Sequence, residues 1–374
     1  MMDLKLYYNT INPSCIGARP AVCVRVGTCD SSSRLTMVYR VCVVGAGIIG
    51  VSTAVNILES IPNVEVTILA EKFSPDTTSS GIGGLWLPYL AKNTPQESIY
   101  KWGKTTWDHM MAILRSPYAD EAGIHLKPIY DLFDVELDKD PFWKDIPLSY
   151  RRCNQQELDS LFPGYVSGFF FMTLFCLCRL YIPWLMKRYQ ARGGKVLKQS
   201  LSSLSEIADL YDVIVMCTGL GSHHLLGDKE VYPIRGELVK VKSSWTIATS
   251  AEKDGVLQSY LLPGIDHVFC GGLAQVDNWN EQSDPKDVQG VLEKCAQLVP
   301  SIKNAKVISS WAGLRPGRSS IRLEKENLRI ETTIKKVVHN YGHGGSGATL
   351  HWGCAQDAAQ LVMQSIQELN RSKL

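Results

Sequence analysis

The chain of 374 residues carries 39 lysines and arginines against 37 aspartates and glutamates, a net charge of +2 at pH 7, and 45% of it is hydrophobic. Length and apolar content of this kind support two or three domains with a large core. The near balance of charge supplies no general attraction for nucleic acid or an anionic membrane, and neither is expected as a partner.

Residues 1–36 include Ser31-Ser32-Ser33 and show no apolar periodicity, so they are expected to form an extension outside the fold. From Met37 the pattern changes. Residues 41–44, VCVV, suit a central parallel strand; GAGIIG follows, then IIGVSTAVNILES repeats apolar residues at helical spacing, and VEVTILA, 64–70, reads as the next strand. In such a βαβ unit Gly45 permits the tight turn, Gly47 lets the backbone approach a pyrophosphate, and Gly50 allows the helix to pack on the strand. Ala46, Ile48 and Ile49 complete the turn. Glu71 follows Gly50 by about twenty residues, where an acid accepts a ribose hydroxyl's hydrogen bonds, and Lys72 stands beside it. These features call for a ligand that carries ADP.

The loop FSPDTTSSGIGG, 73–84, is rich in hydroxyls and glycine, and Thr78, Ser79, Gly84 and Leu85 are expected at the ligand. A helix is expected around 96–114. GFFFMTLFCLC, 168–178, is about half the length that spans a bilayer as a helix, and reads as a buried strand. YDVIVMCTG, 211–219, ends in a small-residue turn at Thr218, as strands of an open α/β sheet do where they meet a cofactor. Between 232 and 269, ELVKVKS, SYLLPG and HVFCGG read as a mostly antiparallel second sheet, and KDVQGVLEKCAQLVP as a helix. The eleven cysteines are scattered rather than arrayed, which suits a reducing compartment; Cys176 and Cys178 form only C-x-C, and no metal is expected.

The closing stretch, 336–369, reads as strand, glycine turn and long helix. Its NYGHGGSGATLHWG holds a second G-x-G-x-x-G spacing at Gly342, Gly344 and Gly347. A nicotinamide dinucleotide on a Rossmann domain needs no second turn here, whereas FAD is longer at its reactive end and its reduced ring carries negative charge that a helix N-terminus stabilises. FAD is therefore the expected cofactor, with Gly345, Ser346 and Thr349 beside it. GGSGA resembles a nucleophile elbow, but Ala348 stands where its last glycine belongs, so Ser346 is read as a loop hydroxyl near the ligand.

The expected fold is α/β: a Rossmann-like FAD-binding domain, discontinuous in sequence (37–90, 150–220 and 305–374), with an inserted, mostly antiparallel substrate-binding domain (91–149 and 221–304). Ser372-Lys373-Leu374 matches the tripeptide read by the peroxisomal import receptor, making peroxisome the expected location.

Taken together and in order, VCVVGAGIIGVSTA, EKFSPDTTSS, GLWLPYL, PFWKD, YIPWLMKR, CTGLGS, PIRGELVKV, YLLPG, GLRPGRSSIRLE and NYGHGGSGATLHWG resemble the FAD-dependent D-amino-acid oxidase family, over nearly everything from Met37 onward. CTGLGS and YIPWLMKR look more like its D-aspartate oxidase branch, LWLPYL with Tyr89 more like its neutral-substrate branch. The resemblance implies oxidation of a D-amino acid to a 2-oxo acid with release of ammonia and hydrogen peroxide. Hydride passes from the α-carbon to the flavin, dioxygen reoxidises the flavin, and no protein acid or base is obligatory. It also implies that Arg315 of GLRPGR grips the α-carboxylate, that Tyr260 of YLLPG assists, and that the Gly345 carbonyl accepts from the amine.

Val256 stands where neutral-substrate members carry a tyrosine, and Lys253 and Ala274 replace the side-chain-binding arginines of the aspartate branch. Lys253 is expected to pair with a distal carboxylate, which favours D-aspartate and D-glutamate. A broad neutral D-amino-acid oxidase is the alternative, and a homodimer is allowed for. From other classes, an NAD-dependent dehydrogenase and a non-catalytic flavin-binding protein stay open.

Overall fold

The computed structural model describes residues 37–371; the 1–36 extension and Ser372-Lys373-Leu374 lie outside the described residues. Among the described residues the strands form a six-stranded and a nine-stranded sheet.

The six-stranded sheet runs, edge to edge, Arg322–Ile330, Thr333–Tyr341, Val213–Met216, Tyr39–Val44, Val64–Ala70, Lys195–Lys198. Every neighbouring pair is parallel except the Arg322–Ile330 edge, which returns antiparallel through a hairpin. Its central strands are apolar on both sides because both faces are covered: Val41, Val43 and all of Val213–Met216 are fully buried. The helices Ile48–Ser60, Cys178–Ala191 and Gly347–Arg371 contribute to the same core, through Val51, Tyr181 and Ala358 among others. The opposite edge strand, Lys195–Lys198, is exposed and ends in lysine on both sides, a pattern that discourages further strand pairing.

The nine-stranded sheet runs Gln275–Val276, Tyr232–Lys242, Val268–Gly271, Val256–Pro263, Ala248–Lys253, Ile124–Phe133, Ser167–Cys176, Leu148–Arg152, with Lys306–Gly317 paired to Tyr232–Lys242. It is antiparallel apart from the parallel pair Ile124–Phe133 and Ala248–Lys253. The helix Pro285–Leu298 buries Val291, Cys295 and Leu298 with Val239, Leu261 and Cys270 of this sheet.

Two segments expected in the dinucleotide domain belong to the other sheet. Ser167–Cys176, inside the 150–220 stretch, pairs along its length with Ile124–Phe133. Lys306–Gly317, inside 305–374, pairs with Tyr232–Lys242. An apolar run predicts a buried strand but carries no mark of its partner, because pairing is a contact between residues distant in sequence. Among the described residues no helix is long and apolar enough to cross a membrane.

Candidate active site

One cavity of about 780 Å³ is reached by both glycine turns and by both sheets. At one end lie Gly45, Ala46, Gly47, Ile48 and Ile49. Gly45 has φ +113°, and a Cβ there would fall 2.3 Å from the Cys217 carbonyl oxygen. Gly50 does not line the cavity; a Cβ on it would lie 2.0 Å from the Gly45 oxygen, so its bareness is what lets the helix start so close to the strand. That helix, Ile48–Ser60, turns its N-terminal amides and the positive end of its dipole toward the cavity. Ser79 Oγ accepts from the Ile48 amide at 3.1 Å, which leaves the hydroxyl's own proton free for an anionic ligand. Glu71 and Lys72, at the end of the Val64–Ala70 strand, line the cavity with Thr78, Gly84, Leu85 and Thr218.

The second turn faces the same space through Gly342, Gly344, Gly345 and Gly347. Gly347 opens the helix Gly347–Arg371, and a Cβ placed on it would meet nothing within 4 Å, so main chain is presented to open room. Burial, with the nearby His351 adding to it, pushes the His343 imidazole down to about 3. The turn's positive character therefore comes from the helix and not from a histidine cation. Two helix N-termini, an acid at a strand end and a continuous cavity between them fit a flavin dinucleotide, whose pyrophosphate the first turn would hold, whose ribose Glu71 would meet, and whose ring the second turn would face.

The far end is built by side chains. Arg315 lines the cavity from the Lys306–Gly317 strand, and its Nη1 donates to the Leu273 carbonyl at 3.2 Å. Its guanidinium lies flat over Gly236 on the adjoining strand, where a Cβ would come within 2.4 Å of Nη1. Tyr260 reaches the cavity, which Arg315 also lines, from the Val256–Pro263 strand. Burial raises the Tyr260 phenol above its ordinary range, while Arg315 pulls it back. Tyr89 stands nearby, its phenol likewise raised by burial and lowered by Arg315.

Several expected positions fall elsewhere. Ser346 and Thr349 do not line the cavity. Ser346 Oγ accepts from the Tyr89 amide at 2.8 Å and donates to the Tyr89 carbonyl at 2.7 Å; Thr349 Oγ1 makes the same pair of bonds to Leu87, at 3.1 and 2.9 Å. Both hydroxyls are consumed in holding an extended segment to the helix. From below, the Trp86 amide donates to Leu174 O at 2.8 Å, and its indole donates to Gly103 O at 3.1 Å.

Lys253 is exposed at a hairpin tip and does not line the cavity, and Ala274 is exposed as well. Strand alternation explains this: Ser250 and Glu252 face the cavity, so Lys253 faces away. The sequence reading missed Gly236, Trp311, Asp131, Ser250 and Glu252. Only the parity of Glu252 with Ser250 was there to be read, and it needed the strand's inner face to be known.

A family model described as FAD dependent oxidoreductase matches residues 40–361. The chain is 39% identical to D-aspartate oxidase of Homo sapiens over 331 residues, covering 88% of this chain and 96% of that protein. It is 34% identical to D-amino acid oxidase of Dugesia ryukyuensis over 329 residues, covering 86% of this chain and 97% of that protein. The glycine oxidase structure from Geobacillus kaustophilus shares the fold, with TM-score 0.71 at 18% identity over 87% of this chain and 95% of that one. With the family match running from the first strand into the last helix, and relatives of this identity over most of their length, the chain belongs to the FAD dependent oxidoreductases of the DAO family.

Proposed function

We propose that the chain catalyses oxidative deamination of D-amino acids to 2-oxo acids, with release of ammonia and hydrogen peroxide. The observation that carries this is the convergence of Arg315 and Tyr260 on the cavity that both glycine turns open into. A guanidinium and a phenol in one cluster give a fixed, charge-assisted grip on a carboxylate. When bound, FAD supplies the acceptor for the two electrons and the hydrogen of the substrate Cα–H bond, and dioxygen takes the electrons back with two protons as hydrogen peroxide. The chain's own part is orientation: Arg315 and Tyr260 fix the carboxylate, the Gly345 carbonyl accepts from the amine, and one α-hydrogen is left directed at the ring. Water then adds to the released imino acid, and ammonia leaves.

Similarity to human D-aspartate oxidase supports D-aspartate and D-glutamate as favoured substrates. Broad neutral specificity is the second reading, favoured by the outward position of Lys253 and the absence of charge at Ala274. Ser372-Lys373-Leu374 supports a peroxisomal address read by the import receptor, tested by localising a fluorescent fusion with and without the tripeptide. Light scattering tests the homodimer.

The decisive assay couples peroxide release to a D-amino acid panel with the L-isomers as controls. Yellow protein giving peroxide from D-isomers alone is the expected result. Yellow protein giving none from any D-isomer favours a binding protein, and colourless protein that reduces added NAD favours a dehydrogenase.

A further inference from the structure

Two segments carry the groups that hold the two ends of a substrate's α-carbon. Arg315, assigned to the carboxylate, stands near the end of the Lys306–Gly317 strand; Gly345, whose carbonyl is assigned to the amine, comes just after the Thr333–Tyr341 strand. The two strands belong to different sheets, so no ladder of strand hydrogen bonds sets the distance from one group to the other.

A single carboxylate oxygen joins them. Asp228 lies between the short helix Ser222–Leu225 and the Tyr232–Lys242 strand, its side chain 9% exposed. Its Oδ2 accepts from Arg318 Nε at 3.0 Å and from the Tyr341 hydroxyl at 2.8 Å. Arg318 is three residues past Arg315, and Tyr341 is four residues before Gly345. Asp228 Oδ1 accepts from the Glu230 amide at 3.0 Å, so both oxygens are fixed. Burial disfavours the charge on Asp228, but the bonds from Tyr341 and Arg318 outweigh it and hold the carboxyl below its ordinary range. Arg322 Nη1 donates to the Tyr341 hydroxyl at 2.9 Å, which leaves that hydroxyl's own proton for Asp228.

The rest of the junction is close-packed. Gly342 has φ +85°, and a Cβ on it would lie 2.8 Å from Arg318 Cβ; the Gly344 amide donates to Pro316 O at 2.9 Å. Tyr341, Gly342 and Gly345 line the cavity, whereas Asp228 and Arg318 do not. Asp228 therefore acts from behind the wall.

We propose that Asp228 is a positioning residue for the oxidation, setting the separation between the carboxylate anchor at Arg315 and the amine acceptor at Gly345, and through it the aim of the α-hydrogen. This rests on the D-amino-acid oxidase reading and deepens it. An error of about 1 Å in such aim costs up to about 10²-fold in rate, whereas a carboxylate without an amine needs only the Arg315 side.

The test sets each D-amino acid beside its amine-free counterpart, D-alanine with propanoate and D-aspartate with succinate, on FAD-loaded wild type, Asp228→Asn and Tyr341→Phe. Asp228→Asn keeps the shape and removes the charge; Tyr341→Phe removes the bond from the glycine-turn side. The rate of flavin bleaching without oxygen, at saturating substrate, reads the aim. The Kd of propanoate or succinate, followed by flavin absorbance, reads the carboxylate anchor alone. The bleaching rate is expected to fall about tenfold or more in Asp228→Asn and severalfold in Tyr341→Phe, with Kd within about twofold of wild type in both. Thermal melting and flavin content establish that each variant is folded and loaded; where Asp228→Asn does not load, Tyr341→Phe decides. An unmoved bleaching rate in the loaded variants, or a rate and a Kd that worsen together by the same factor, overturns the inference, while reduction of wild type by D-amino acids leaves the oxidase reading standing. If no D-amino acid bleaches wild type, both fall.

Discussion

The two ends of the cavity are made of different material. Around Gly45–Ile49 the wall is main chain, shaped by residues consecutive in sequence. Around Arg315 it is side chain, from strands at 124–133, 248–253, 256–263 and 306–317. Main chain suits what every dinucleotide of this kind has in common, its phosphates. Side chains recognise what differs between substrates. The first end tolerates almost no added atom, and the second end tolerates changes of residue at the level of selectivity.

Substitutions at the two ends are expected to separate cofactor retention from turnover. The largest effect belongs to Gly50→Ala: the added methyl has only 2.0 Å to the Gly45 oxygen, so strand and helix must part, and the purified protein is expected to lose its flavin absorbance. A Gly50→Ala protein that stays yellow and active would erase the distinction. Arg315→Leu is expected to keep the flavin and lower kcat/KM for every D-amino acid by about 10³, the scale of removing one partner from a desolvated charge pair. Gly236→Ala tests the floor under that guanidinium: the methyl displaces it without touching the dinucleotide end, and a loss of ~10-fold to 100-fold in kcat/KM with normal flavin content is expected.

A smaller effect is read in stability. Burial pushes Asp131 up to about 7, Glu252 adding to this and the Ser250 hydrogen bond opposing it. The folded state therefore holds the proton more tightly than the unfolded chain. The stability this gives is fully present near pH 4 and is lost as pH rises through about 7. Asp131→Asn is expected to match wild type near pH 4 and to exceed it by ~1–3 kcal/mol at pH 8, measured by denaturant melts. The smallest expected effect is that of Lys253→Ala, within about twofold in kcat/KM for D-aspartate, since exposed charges contribute little. A loss far beyond this would place Lys253 at the substrate and reverse the position the fold gives it.

The same contrast explains what the sequence discloses. Gly45, Gly47, Gly50 and Glu71 are legible because a strand, a turn, a helix and a second strand follow one another without interruption, and each residue's task is local. Arg315 and Tyr260 were found through the family resemblance; their contact depends on strands that meet only after folding. Lys253 was misplaced by one step of strand alternation, which the local pattern SAEKDG does not reveal. Ser346 and Thr349 carry hydroxyls beside a glycine turn, where a ligand contact and a main-chain clasp look alike in sequence. Asp131, in IYDLF, gave no signal at all until its strand was paired with Ser250.

The clasp between Ser346, Thr349 and the backbone of Leu87 and Tyr89 has a mechanical consequence. Four hydrogen bonds stitch the tyrosine-bearing segment to the start of the helix Gly347–Arg371. Whatever steadies that turn steadies the backbone of Leu87 and Tyr89 too, so the cavity's Tyr89 edge and the start of the last helix move as one piece.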